Sequence, residues 1–381
     1  MNRDTAISIC KGLAIILMVV GHAEAPGLLS SFIYEFHMPL FFITAGYFFS
    51  VKYIHDEGTF VKRRLQGLYV PFVKWALFFL VIHNWMFDLG ILNETYGNAS
   101  GGVTHPYSWP RIMQNVWTIV FSMGAYDEFL AGAFWFFRGL LVASVLYLIC
   151  YKLAATLFAR WCAWRHTDAP SPADNRRVAL GIGIAVCLFL FLLASWKTYS
   201  GIKIVTLVQR GDRDIIGCFF FSVGFLLRFC LKRLPQWWCL TAVYAAIVVI
   251  FAKFWPSAML VKESFSKFVT LLPPAFFGFL MTYNISSRID RHDGWLKRFL
   301  IYAGDNTLCV FVFHILAFKV VSLIKIWYYD LDYLQIGCHM VIHDHSQEDC
   351  FWIIYSIVGV GLPLGVNRLY HRLKAKIIKA H

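Results

Sequence analysis

Charge is scarce in this chain. Asp, Glu, Lys and Arg supply only 15% of its 381 residues, whereas 59% are hydrophobic. Soluble domains carry roughly 25% charged residues, and a mean hydropathy of +0.60 excludes that class. It also excludes disorder, which goes with low hydrophobicity. Long polar stretches are missing too. The widest gaps between apolar runs, about 88–129 and 159–177, are too short to bury a core of their own, so 1–381 reads as a single polytopic domain. The ten cysteines show no metal-ligand or redox spacing, and no metal is expected. Most lie in or beside apolar runs, where a Cys serves as a small core residue. Cys338 and Cys350 share one predicted external loop, and the sequence leaves their pairing open.

Apolar runs are what the chain has in plenty. Those long enough to cross roughly 30 Å of hydrocarbon lie near 6–25, 31–50, 66–87, 130–158, 178–197, 214–231, 237–254, 268–285, 300–325 and 351–370. The expected fold is therefore all-α and membrane-integral, with about ten spans. The formal charge of +13 would suit nucleic acid, but its distribution argues for topology. With the N-terminus inside, about two thirds of the Lys and Arg fall in cytosolic segments, and both termini are expected to be cytoplasmic. Two external segments, about 197–213 and 253–267, carry Lys or Arg against this trend. The loop at about 326–350 is acidic. Residues 12–21 with Ala23-Glu24-Ala25 also look like a signal peptide and its cleavage site, although Lys11 falls where the apolar run should begin.

Within these spans sit ionisable side chains, which are costly in hydrocarbon and usually mark function. Lys11 and His22 share the first run. His37 opens Phe36-His37-Met38-Pro39-Leu40-Phe41-Phe42 in the second, Arg138 follows Trp135-Phe136-Phe137, and His314 lies in the ninth. At 1.5 Å per residue, His22 stands roughly 16 Å beyond Lys11. The same arithmetic puts His37 about 9 Å and Arg138 about 12 Å in from the outer face, and His314 about 21 Å up from the cytosol. His22, His37, Arg138 and His314 thus form an outer tier, with Glu24 and Glu35 beside it. Lys11, Arg63, Arg64 and Lys74 form an inner one. Each has a plainer role. A lone membrane histidine is often a helix–helix hydrogen-bonding residue. Arg138 pairs with Glu24, Glu35 or backbone carbonyls on that view, and Arg63 and Arg64 only set topology. His83 and Trp237-Trp238 read as interface residues. Asn93-Glu94-Thr95 and Asn98-Ala99-Ser100 match the glycosylation acceptor pattern, idle in the bacterial inner membrane where this chain is expected.

Several blocks, in order, resemble the acyltransferase-3 family of membrane O-acyltransferases. Asp4, Lys11-Gly12-Leu13-Ala14 and His22 are similar to that family's first helix, and the His37-Met38-Pro39 block with Ala45-Gly46-Tyr47 to its second. Arg63-Arg64-Leu65 with Tyr69 and Pro71 resembles the start of the third, and Gly304-Asp305-Asn306-Thr307-Leu308 with His314 a late segment. Lys11 stands where the family commonly has Arg, which replaces a bidentate fork with a point charge. Gly67 stands where many members carry a second arginine.

The resemblance implies transfer of an acyl group, usually acetyl from cytosolic acetyl-CoA, to a hydroxyl of a carbohydrate or glycolipid. Lys11, Arg63, Arg64 and Lys74 would then meet the CoA phosphates. His22 would activate the hydroxyl as a base or carry the acyl group itself, and Arg138 or His37 would stabilise the oxyanion. Glu24 and Glu35 would hold sugar hydroxyls. The competing reading is a secondary transporter or exporter of a glycan or small anion, against which the two halves repeat none of these blocks. A third is acyl-group sensing without turnover.

Overall fold

A computed structural model of the chain describes residues 4–97, 105–124, 129–204, 208–260, 262–342 and 349–380. Helices account for the regular structure, and no strand occurs among the described residues. Eight segments are long and apolar enough to cross a membrane, making this an all-α, multi-pass integral membrane protein. They match eight of the ten expected runs. The other two fold as α9 (Asp212–Leu227, 16 residues) and α10 (Trp238–Phe254, 17 residues). At 1.5 Å per residue these reach only about 24–26 Å. Helix α9 is buried along almost its whole length.

The helices fall into two interleaved units. The first comprises residues up to Ile33, Phe72–Trp135 and Ile285 onward; the second comprises Tyr34–Pro71 and Phe136–Asn284. In the first unit, α1 (Thr5–His22) begins where the Asp4 carboxylate accepts from the Ile7 amide, capping an otherwise orphaned N–H. It ends at His22, one residue before Ala23 and two before Glu24, whose φ of 56° takes the backbone out of the helix. The run expected at 300–325 is two helices, α12 (Trp295–Asp305) and α13 (Thr307–Tyr329), broken at Asn306. The Asn306 side chain donates to Tyr302 O and accepts from Asn367 on α14 (Phe351–Ala380), so the break is braced. Helices α1 and α12 touch backbone to backbone. A Cβ on Gly12 would lie 2.2 Å from Leu300 O, and one on Gly304 would lie 1.9 Å from Ser8 O.

The expected 31–50 run is also broken. Helix α2 (Gly27–Tyr34) precedes the break, and α3 (His37–Tyr47) starts two residues after it, with Pro39 in its first turn. A proline there forfeits no intrahelical bond. Helix α3 packs on α9 through the same small-residue device, Gly46 against Phe221 O and Gly224 against Ile43 O. Further along, α4 (Glu57–Arg64) continues through a π-helical turn at Leu65–Tyr69 into α5 (Val70–Asp88).

The gap expected to be irregular at 88–129 contains α6 (Trp109–Ser122). It belongs to the first unit and is amphipathic the other way round from a soluble helix. Asn115 and Ile119 are buried, while Trp109, Trp117 and Phe121 are exposed, as suits a helix lying at a membrane interface.

Candidate functional site

His22, the last residue of α1, and His314, on α13, come together although 292 residues separate them. Nδ1 of His22 lies 2.9 Å from Nε2 of His314, with the rings 5.2 Å apart and within 21° of parallel. The proton positions follow from the partners. Nδ1 of His314 faces the carbonyl oxygens of Phe311 and Val310 at 3.0 and 3.2 Å. Carbonyls only accept, so this nitrogen carries the hydrogen. With both rings neutral, Nε2 of His314 is then an acceptor, and Nδ1–H of His22 donates to it. The lone pair of His22 therefore sits on Nε2. His314 is fully buried, and His22 is half-buried. His314 lies seven residues into α13, beyond the helix break at Asn306.

Three residues around this pair were not singled out from sequence. His339 lies within coulombic reach of His314 and against Gly132. Lys319 on α13 is buried and donates to the carbonyls of Ile336 and Cys338 at 2.8 and 2.5 Å. Lys325, also buried, pairs with Asp349 at 2.7 Å and donates to Ile342 O. Two lysines inside an apolar run, followed by an acidic loop, were the available signal. They fasten Ile336, Cys338, Ile342 and Asp349 to the helix that carries His314, and neither faces water as a topology determinant. Cys338 and Cys350, left open by the sequence, are both free thiols.

His83 departs from expectation. Its side chain is buried in the protein, stacked on Tyr107 at 3.9 Å and bonded to His105 O at 2.9 Å. The Asn93 amide is equally engaged, donating to Gly90 O and Leu334 O and accepting from Tyr96 N. The second acceptor pattern, Asn98-Ala99-Ser100, lies outside the described residues. In the same unit Glu24 is half-buried immediately after α1, Lys11 is half-buried within it, and Lys74 is exposed with its ammonium over Trp75.

The second unit holds the remaining expected residues. Glu35, in the break between α2 and α3, is fully buried. Its carboxylate lies near the Ser257 backbone and the Lys267 side chain, yet neither oxygen closes a hydrogen bond among the described residues. Such a group costs several kcal/mol to bury, which suits one held ready for a ligand. His37, buried at the start of α3, meets Tyr34 edge-on at 5.3 Å. Arg138, on α7 (Trp135–Trp164), pairs with Asp214 of α9 at 3.3 Å, both groups buried. The sequence reading named Glu24, Glu35 or backbone as its partner; Asp214 went unnoticed although Asp212-Arg213-Asp214 opens an apolar run.

Some of the cations that ran against the topology trend have structural partners, in that motif or on backbone carbonyls. Lys197, at the end of α8 (Arg176–Ser200), is buried 2.5 Å from Asp212. Arg213 donates to Met259 O and Lys267 to Pro256 O. Glu263, near Asp212, is buried as well, and desolvation pushes its carboxyl above the usual range. Arg63 donates to the Tyr53 hydroxyl at 2.7 Å, and Arg64 lies over the rings of Phe60 and Phe221.

A family model described as an acyltransferase domain matches residues 4–367, nearly the whole chain. No curated protein and no solved structure matches it.

Proposed function

The chain belongs to the acyltransferase-3 family, and from that premise we propose that this membrane acyltransferase moves acetyl from cytosolic acetyl-CoA to a hydroxyl of a surface glycan or lipid-linked saccharide. The site of action proposed is a bacterial inner membrane. The observation that carries the reading is the directed chain from two backbone carbonyls through His314 to His22, which leaves a lone pair on Nε2 of His22. A hydroxyl is a poor nucleophile at neutral pH, and an imidazole nitrogen is the usual base for it.

In the proposed step, Nε2 of His22 takes the acceptor hydroxyl's proton as the oxygen attacks the thioester carbonyl. Collapse of the tetrahedral adduct breaks the C–S bond. The CoA thiolate recovers the proton from the His22 imidazolium, giving an ester and free CoA. The positive charge on His22 is met by the His314 acceptor at its other nitrogen. Glu35, with two unbonded carboxylate oxygens, would accept hydroxyls of a sugar, and Glu24 would do the same. His37 and Arg138 are the remaining candidates for oxyanion stabilisation, and Lys11, Arg63, Arg64 and Lys74 for the CoA phosphates.

Purified protein in lipid, given labelled acetyl-CoA and a glycan acceptor, is expected to label the acceptor. His22→Ala is expected to abolish labelling with its circular dichroism unchanged; retained turnover would refute the role of His22. Acetyl trapped on the protein before product forms would replace the base by an acyl-histidine relay. Vesicle uptake of the glycan without covalent change would instead identify a transporter.

A further inference from the structure

We infer that a cavity in the second unit, remote in sequence from the histidines and lined by Lys52, Arg176 and Arg228, is a binding site for the phosphorylated nucleotide end of the donor. This rests on the acyl-CoA reading above and gives the phosphates on the adenosine to this cavity, leaving the pyrophosphate to Lys11, Arg63, Arg64 and Lys74. The cavity is about 400 Å³, within the roughly 300–1,000 Å³ range of small-ligand sites. Three cations line it against one carboxylate, that of Asp174.

Two of the cations are held in place by the fold. Arg228 donates one N–H to Phe49 O at 2.6 Å, and Arg176 donates one to Phe229 O at 2.8 Å. A guanidinium has five N–H donors, so one backbone bond orients the fork and leaves donors for an anion. Such pre-organised forks match phosphate oxygens bidentately. Lys52, exposed on the 3-10 turn Val51–His55, adds a mobile point charge. Arg63 is bonded to Tyr53 of that same turn. Phe229 and Pro172 give the cavity an apolar wall, and the Arg176 guanidinium lies over the Phe229 ring at 5.5 Å. Phosphate donors beside an apolar wall suit both halves of a nucleotide, its phosphates and its base. An inorganic anion would use only the phosphate donors.

The test is equilibrium binding of radiolabelled adenosine 3′,5′-bisphosphate to the full chain in lipid nanodiscs, alongside acetyl-CoA turnover. Lys52→Glu is the clean variant, because no backbone bond depends on that side chain. It is expected to weaken bisphosphate binding about tenfold or more and to raise KM for acetyl-CoA with little change in kcat. Arg228→Lys, which keeps charge but loses the fork, is expected to weaken it less than Arg228→Gln. Arg165→Gln, a cation outside the cavity, should leave binding unchanged. Equal affinity in wild type and Lys52→Glu would overturn the site, and if acetyl-CoA turnover persisted, the acetyl-transfer reading would survive that loss. Lys52-dependent bisphosphate binding without any consumption of acetyl-CoA would support the site and overturn the donor reading. Binding of inorganic phosphate as tight as that of the bisphosphate would overturn the nucleotide assignment.

Discussion

An imidazole acting as a base must keep one nitrogen unprotonated, and in this chain His314 makes that choice for His22. Two carbonyls fix the hydrogen on the far nitrogen of His314, and its near nitrogen then dictates the His22 tautomer. His314→Leu removes the acceptor, so His22 loses both its orientation and the partner for its developing charge. A fall in kcat of about 10²–10⁴-fold is expected, the span of general-base catalysis. His314→Gln retains an oxygen able to accept from Nδ1–H and is expected to lose only about tenfold, near 1.4 kcal/mol. KM for acetyl-CoA should hold in both variants, since His314 has no direct part in donor binding. Initial rates over a range of acetyl-CoA would read both constants. Equal losses for Leu and Gln would mean that His314 fills space and orients nothing. Both histidines were legible from sequence as costly residues in apolar runs, but not their bond. Arg138 was legible for the same reason, whereas Asp214 was not, because an aspartate at the edge of an apolar run looks like a loop residue.

Helix α1 can present His22 to His314 only because it lies so close to α12. A side chain on Gly304 would collide with the Ser8 carbonyl of α1 at 1.9 Å, and backbone cannot move aside as a flexible side chain can. Gly304→Val is therefore expected to destabilise by about 1–3 kcal/mol, the usual cost of overpacking. Thermal melting of the purified protein in detergent would register this as a lower midpoint, together with lost turnover as α1 shifts. Gly181, on α8, has no neighbour within 4 Å, so Gly181→Ala should leave both unchanged. A Gly304→Val protein that melts with wild type would show that the close crossing contributes nothing. Glycines in the family-like blocks were visible in the sequence, but their close approach depends on which helices cross. Of the two helix breaks, Pro39 signalled the one before α3. Gly304-Asp305-Asn306-Thr307 interrupts the apolar run at the second break, a signal passed over because the flanking apolar residues make one span-length stretch; α6 carries helical spacing at Trp109, Ile112, Met113, Val116 and Trp117 but, at 14 residues, is too short to register as a span.

At the scale of the whole molecule, the unresolved quantity is the number of crossings. Eight segments are long enough to cross; α9 and α10 are short, and the C-terminus changes side only if one of them crosses without the other. Charge gives the answer once the exceptions are understood. Lys197 is neutralised in a buried pair with Asp212, and Arg213 and Lys267 are spent on backbone carbonyls. These cations are structural and carry little topological weight. Most of the rest cluster in segments that fall on one side if both short helices cross, with Lys203, Lys253 and Lys262 still against the trend, and on that balance ten spans are expected. We therefore propose that both termini are cytoplasmic, because Lys and Arg flanking the spans are retained inside. A fluorescent protein fused after His381 is expected to fluoresce in intact bacteria, and alkaline phosphatase fused at the same point to be inactive. Phosphatase activity would mean an odd number of crossings, and α10 would be the first helix to doubt, since Asp212–Leu227 is the more deeply buried of the two. A second phosphatase fusion, in the loop between α9 and α10, separates the cases. Inactive there and active at the C-terminus, the pair would show that α9 crosses and α10 returns to the side from which it came.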